Sequence, residues 1–196
     1  MIPDSSLIVA ILFGYVLGSI PFGLILTKLA GLGDIRKVGS GNIGATNVLR
    51  TGNKAIALLT LLLDGGKGAL ALLIVQFQAP DLALWAALGA FLGHLYPVWL
   101  MFKGGKGVAT FMGIVIAYDL ALGLVCALAW VATALLFRYS SLAALAAALA
   151  APIYASLYLN HFAGPILALI AVLIFWRHRG NIERLSKGRE PKIGQS

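Results

Sequence analysis

The chain has 196 residues, of which 60% are hydrophobic and only 11% charged, with a formal charge of +8. Soluble domains are roughly 45–50% apolar and about a quarter charged, so a water-soluble globular domain is excluded and a polytopic membrane protein is expected. The mean hydropathy of +0.93 agrees. A membrane helix takes about 20 apolar residues, so seven would use about 140 positions and leave about 56 for loops and ends. The chain is therefore expected to be a single membrane-embedded unit over residues 1–196, with its chemistry on short loops.

The apolar runs predict spans near 6–29, 54–78, 82–101, 107–117, 120–137, 141–158 and 163–177. Asp4 and the lack of any basic residue before the first run argue against a signal peptide, so that run is read as a retained span. The run 54–78 is interrupted by Asp64-Gly65-Gly66-Lys67-Gly68. Asp64 and Lys67 lie three apart on one helical face, where they serve either as structural glue or as support for a site. His94, near mid-span in 82–101, is read as a hydrogen-bonded packing histidine with a site contact left open. The short run 107–117 is counted as a crossing on charge grounds given below. Cys126 is the single cysteine. It excludes a disulfide framework or a Cys-based metal site and, like His161, is read as structural. The Ala-rich run 141–158 suits close helix packing.

Charge placement sets the topology. Lys28, Arg36, Lys37, Arg50 and Lys54 surround the first loop, Lys103 and Lys106 the third-to-fourth connection, and Arg138 follows the fifth span. Arg177, Arg179, Arg184, Lys187, Arg189 and Lys192 make the tail basic, while Lys67 alone falls inside a span. The opposite ends carry Asp4, Asp81, Asp119, Asn160 and His161. Basic residues in short loops mark the cytoplasmic side, which predicts seven transmembrane helices with the N-terminus outside and the C-terminus cytoplasmic. Lys103, Lys106 and Arg138 share a side only if 107–137 crosses twice, turning near Tyr118-Asp119. One helix of that length would run roughly 46 Å, longer than the hydrocarbon core.

The loops expected at the cytoplasmic face, 36–54, 102–107 and 177–191, hold the chemistry-bearing residues, and a bundle can gather them into one site. The first contains Gly39-Ser40-Gly41-Asn42-Ile43-Gly44. This is a GxGxxG, but it follows a membrane helix rather than a strand, so the dinucleotide reading fails. What remains is a glycine turn whose N–H groups can converge on an anion. A short helix beginning near Asn42 or Gly44 would add its positive end. Ser40, Asn42, Thr46 and Asn47 supply neutral donors and acceptors, and Arg50 a guanidinium suited to phosphate oxygens. The alternative is a plain flexible turn. In the second loop, Lys103-Gly104-Gly105-Lys106-Gly107 is not a Walker A motif, yet glycines and lysines at a helix start suit phosphate. A positive-inside anchor would explain its lysines but not its glycines. The third, Arg177-His178-Arg179-Gly180-Asn181 through Glu190, reads partly as an anchor to anionic lipid. His178, Asn181 and Glu190 go beyond that, histidine being suited to proton transfer near neutral pH.

Five blocks in order resemble the bacterial acyl-phosphate:glycerol-3-phosphate acyltransferases, a family of small inner-membrane enzymes with seven helices: GSGNIGATNVLR at 39–50, DGGKG at 64–68, GHLYPV at 93–98, FKGGKGVAT at 102–110 and RHRGNIERLSKGRE at 177–190. Ile43 departs from the family, where many members carry Pro, and is expected to alter loop stiffness rather than chemistry. The resemblance implies acyl transfer from a fatty acyl phosphate to the 1-hydroxyl of glycerol 3-phosphate, giving lysophosphatidic acid and phosphate. This is the first step of phospholipid synthesis, with no cofactor, no metal and no nucleic acid involved, and with functional coupling to the enzyme that makes acyl phosphate. On that basis Ser40, Asn42, Thr46, Asn47, Arg50 and Lys106, with the backbone of Gly39, Gly41, Gly44, Gly104 and Gly105, are expected to hold and polarise the acyl phosphate. His178, Asn181 and Glu190, with Lys103 or Arg179, are expected to hold glycerol 3-phosphate. Ser40, His178 and Lys106 are the expected catalytic residues, and Lys67 and Lys106 are both expected to contact a phosphate, with the choice of which phosphate each contacts left open. The hydroxyl proton goes to His178 or to the leaving phosphate. The rival reading is an organophosphate transporter, which should often show repeated halves and a mid-membrane site.

Overall fold

The computed structural model describes residues 4–159 and 161–194, so the marker residue Asn160 lies outside the described residues. Among the described residues all regular structure is helical: α1 (Asp4–Gly18), α2 (Phe22–Leu29), α3 (Ala45–Val48), α4 (Lys54–Gln78), α5 (Ala83–Leu95), α6 (Val108–Tyr118), α7 (Leu120–Phe137), α8 (Ser140–Tyr158), α9 (Ala163–Arg177) and α10 (Arg179–Ser186). Five stretches among the described residues are long and apolar enough to cross a bilayer: Ser5–Leu29, Lys54–Gln78, Pro80–Leu100, Leu120–Phe137 and Ser140–Tyr158. α9 and α10, bent by 61° at His178, make a sixth candidate. α6 covers only about 16 Å at 1.5 Å per residue. The turn expected near Tyr118-Asp119 is present, with the Asp119 carboxylate capping α7 by accepting from Leu122 N at 2.7 Å.

The chain forms two compact units, Met1–Ile114 and Val115–Ser196. In the first, α1 and α5 pack through reciprocal glycines. A Cβ at Gly14 or Gly18 would enter the carbonyl oxygens of Ala86 and Ala90, and one at Gly89 or Gly93 those of Ile11 and Tyr15. Small residues four apart let helix backbones touch where lipid offers no hydrophobic drive for association.

The first apolar run is not one straight helix. Pro21 lacks an N–H and pushes its predecessor out of the helical region, so α1 ends at Gly18 and α2 begins at Phe22. Distant side chains bond to the carbonyls at the break: Trp99 Nε1 donates to Ser19 O at 2.9 Å and Lys67 Nζ to Ile20 O at 2.7 Å. Within hydrocarbon, irregular backbone persists only where such partners exist.

The Asp64–Gly68 segment, by contrast, does not break its span. α4 runs unbroken from an Asn53 cap that accepts from Ile56 N. Its glycines make room for α6: a Cβ at Gly68 would stand 2.7 Å from Thr110 O, and one at Gly113 would overlap Gly65 O.

In the second unit the Ala-rich face of α8 (Ala143, Ala144, Ala147, Ala148, Ala151 and Ala155, all buried) packs between α7 and α9. Ile166, Leu167, Ile170 and Ile174 supply the α9 side of that core.

Candidate active site

The first polar loop is built around one amide. Asn47 is 2% exposed. Its Oδ1 accepts from Ser40 N at 3.1 Å, and its Nδ2 donates to the carbonyls of Ile35, Val38 and Asn42 at 3.1, 2.9 and 2.8 Å. Gly39 and Gly41 turn the chain with φ of +52° and +70°, a region open to glycine at little cost. The Arg50 side chain lies across Gly39: a Cβ there would stand 2.7 Å from both Arg50 Cδ and Nη1. Ser40, Thr46 and Arg50 are exposed, and Asn42 and Gly44 are half-buried. Beneath them Ile43 is buried with Leu24, Ile35, Val48 and Ala57. Ile43 is therefore a core residue that fastens the loop to α2 and α4, beyond its expected effect on stiffness. The expected helix after Gly44 is only the four residues of α3, too short for a useful dipole, and Arg50 is the cationic side chain lying against the glycine turn.

At the loop entrance Asp34 accepts from the Arg36 side chain at 2.6–3.2 Å. That hydrogen bonding holds its carboxyl well below the usual carboxylate range.

The second loop sits on the last turn of α5. Gly104 N donates to Leu95 O and Gly105 N to His94 O, both at 3.1 Å. These two amides, expected to face a phosphate, instead seat the loop. Lys103 is exposed and Lys106 half-buried, just ahead of α6.

His94 belongs to this last turn of α5 rather than to mid-span. Its Nδ1 stands 3.6 Å from Asp64 Oδ1. Lys67, with a side chain 1% exposed, is paired to Asp64 at 2.7 Å, bonded to Ile20 O, and lies 5.7 Å from the centre of the Phe22 ring. The Lys67 ammonium is thus engaged inside the first unit.

In the second unit His178 closes α9. Its backbone N–H donates to Ile174 O and Phe175 O, and its Nδ1 lies 2.8 Å from Ile174 O. A carbonyl only accepts, so Nδ1 carries the hydrogen and Nε2 is the basic nitrogen of the neutral ring. Glu190 gathers three donors: Asn181 Nδ2 at 2.6 Å and Ser141 Oγ at 2.7 Å on Oε1, and Arg184 Nε at 2.7 Å on Oε2. Burial pushes the Glu190 carboxyl up, but the bonds from Asn181, Ser141 and Arg184 outweigh it and hold its pKa below the usual value. The tail is strapped beside it, with Ile193 N donating to Arg138 O at 2.6 Å and Arg138 Nη2 to Ile193 O at 3.2 Å. Arg179 is exposed and stacks 4.9 Å from the Trp176 ring centre.

Ser141 and Trp99 were not singled out from sequence. A Ser-Ser pair opening an Ala-rich helix and a Trp two residues after Pro97 were the available signals.

A sequence model of glycerol-3-phosphate acyltransferases matches residues 8–188. The chain belongs to the glycerol-3-phosphate acyltransferase family. It is 58% identical over 189 residues to the glycerol-3-phosphate acyltransferase of Mesorhizobium japonicum, covering 96% of this chain and 97% of that protein. To the Brucella ovis protein of the same name it is 57% identical over 191 residues, covering 97% and 95%. Among solved structures it resembles PlsY (YgiH), an integral membrane glycerol 3-phosphate acyltransferase, in its glycerol 3-phosphate form. The TM-score is 0.91 and the identity 40%, with 96% of each chain covered. The lysophosphatidic acid form of PlsY matches with a TM-score of 0.89 at 38% identity, over 96% of each chain. The protein is therefore an integral membrane acyltransferase, and membership decides between enzyme and transporter.

Proposed function

We propose that this acyltransferase takes its acyl group from a fatty acyl phosphate and places it on the 1-hydroxyl of glycerol 3-phosphate. The observation that carries the reading is the first loop, where two left-handed glycines, the Asn47 scaffold and the overlying Arg50 build a rigid cradle with an outward-facing cation. Arg50 and Lys106 hold the donor phosphate, and Ser40, Asn42 and Thr46 stabilise the developing oxyanion, a kind of contact worth roughly 3–4 kcal/mol of barrier each. Asn47 acts as a positioning residue. Asn181 and Arg179 bind glycerol 3-phosphate, with Glu190 orienting Asn181.

The hydroxyl oxygen forms a bond to the acyl carbon, and the carbon–oxygen bond to phosphate breaks. The hydroxyl proton passes to His178 Nε2 or to the departing phosphate. The products are 1-acyl-glycerol 3-phosphate and inorganic phosphate. The donor is already activated, so no covalent enzyme intermediate is needed.

In this reading the protein crosses a bacterial inner membrane seven times, α6 and α9 included, with its N-terminus outside and its reactive loops cytoplasmic. The distribution of lysine and arginine supports that topology. Functional coupling to the enzyme that supplies acyl phosphate is part of the same proposal. Purified protein given palmitoyl phosphate and glycerol 3-phosphate should release phosphate and form the lysolipid. Turnover with an acyl thioester but not with acyl phosphate would overturn the donor assignment.

A further inference from the structure

Three buried ionisable side chains, Lys67, Asp64 and His94, form a chain that ends on the second glycine loop. Lys67 Nζ lies 2.7 Å from Asp64 Oδ1, and the same oxygen stands 3.6 Å from His94 Nδ1. All three are nearly sealed from solvent, with side-chain exposures of 1%, 2% and 4%. The other end of the imidazole abuts Gly105: a Cβ on that glycine would fall on His94 Nε2 and within 2.9 Å of Cε1. His94 O accepts from Gly105 N, and a Cβ on Gly104 would collide with His94 O. Gly107, at φ +83°, lies so close to Phe91 and Leu95 that a Cβ would meet both. The loop thus rests on the imidazole and the last turn of α5, with no side chain between.

Charged groups inside a membrane span are costly and persist chiefly where they serve a site. A purely apolar contact would seat α5 against α4 equally well. A carboxylate held by Lys67 can in addition bias the orientation of the His94 ring electrostatically across 3.6 Å, and that ring bears directly on Gly105, next to Lys106. We propose that Lys67, Asp64 and His94 are positioning residues that set the glycine loop 104–107 for a substrate phosphate, acting through the contact of His94 with Gly105. The inference rests on the assignment of Lys106 to the donor phosphate made above.

The test uses the full chain purified in detergent, with palmitoyl phosphate as donor and inorganic phosphate as a competing probe. His94→Gln keeps bulk near Gly105 but loses Nδ1 toward Asp64. The pair Asp64→Asn with Lys67→Met removes both charges together, so neither is left buried alone. Each should raise the KM for palmitoyl phosphate and the inhibition constant of inorganic phosphate about tenfold. The KM for glycerol 3-phosphate should move less than about threefold. Combined with Lys106→Met, His94→Gln should add little further loss, because both act on one contact.

Equal changes in both KM values, or full additivity with Lys106→Met, would reduce the triad to general packing and overturn the inference. So would unaltered phosphate affinity in His94→Gln while Lys106→Met weakens it, an outcome that leaves the donor-site reading standing. Unaltered phosphate affinity in Lys106→Met overturns that reading, and the inference with it.

Discussion

Lys67 Nζ donates to the carbonyl oxygen of Ile20, 47 residues away, at 2.7 Å. A side chain on α4 thereby satisfies backbone at the break between α1 and α2, while Asp64 neutralises it. Removing one member of a buried pair leaves the other charge uncompensated, at about 3–5 kcal/mol, whereas neutral replacement of both is often tolerated. Asp64→Asn alone should therefore lower the thermal unfolding midpoint far more than the Asp64→Asn, Lys67→Met double variant. A larger drop in the double variant would contradict this account.

Gly18 tests the α1–α5 contact. Its missing Cβ makes room for Ala90 O, and overpacking of this kind costs about 1–3 kcal/mol. Gly18→Ala should reduce stability in detergent, and Gly18→Leu should abolish the folded monodisperse protein. Gly66, with nothing near its absent Cβ, is the control: Gly66→Ala should be neutral or slightly stabilising, since alanine is the better helix former.

Asn47 scaffolds the first loop through four backbone partners. Asn47→Ala should lower kcat by about 100-fold or more if the loop supplies oxyanion contacts. Asn47→Asp should be no better, because its second oxygen cannot donate to the carbonyls of Ile35, Val38 and Asn42. Steady-state phosphate release measures both.

Arg50 offers a planar fork that lysine lacks. Arg50→Lys should retain charge yet raise the KM for acyl phosphate about tenfold, with Arg50→Ala worse. Equal KM values for the wild type and Arg50→Ala would remove Arg50 from the donor site.

Glu190 gives a pH signature. Its folded-state pKa is lowered, chiefly through Asn181, Ser141 and Arg184 acting against burial. The stability it contributes is therefore complete above the ordinary glutamate pKa and is lost as pH falls through the lowered one. Wild-type unfolding midpoints should decline on acidification below about pH 4.3, and Glu190→Gln should remove that part of the decline. Glu190→Ala should cost about 2 kcal/mol at neutral pH, through the donors left unpaired on Ser141 and Asn181.

Much of the architecture was legible because apolar runs of bilayer length have few alternatives. The turn at Asp119 followed from requiring Lys103, Lys106 and Arg138 to share a side. Pro21 signalled the break in the first span, but the length of the run masked it. The glycine loops were found as loops, yet the direction of their amides was not: Gly104 and Gly105 turn theirs back onto α5. Ser141 stayed hidden because a serine at the start of an Ala-rich helix reads as packing until Glu190 is seen beside it.

Sequence alone determined the membrane class and the family, since hydropathy and short ordered motifs are properties of adjacent residues. Tertiary structure decided what those residues touch. Asn47 turned out to serve backbone, Lys67 a distant carbonyl, and Glu190 a trio of donors. Such pairings depend on where helix breaks and loop turns leave unsatisfied polar atoms, and hydrogen bonds reach only about 3 Å, so no spacing along the chain could specify them.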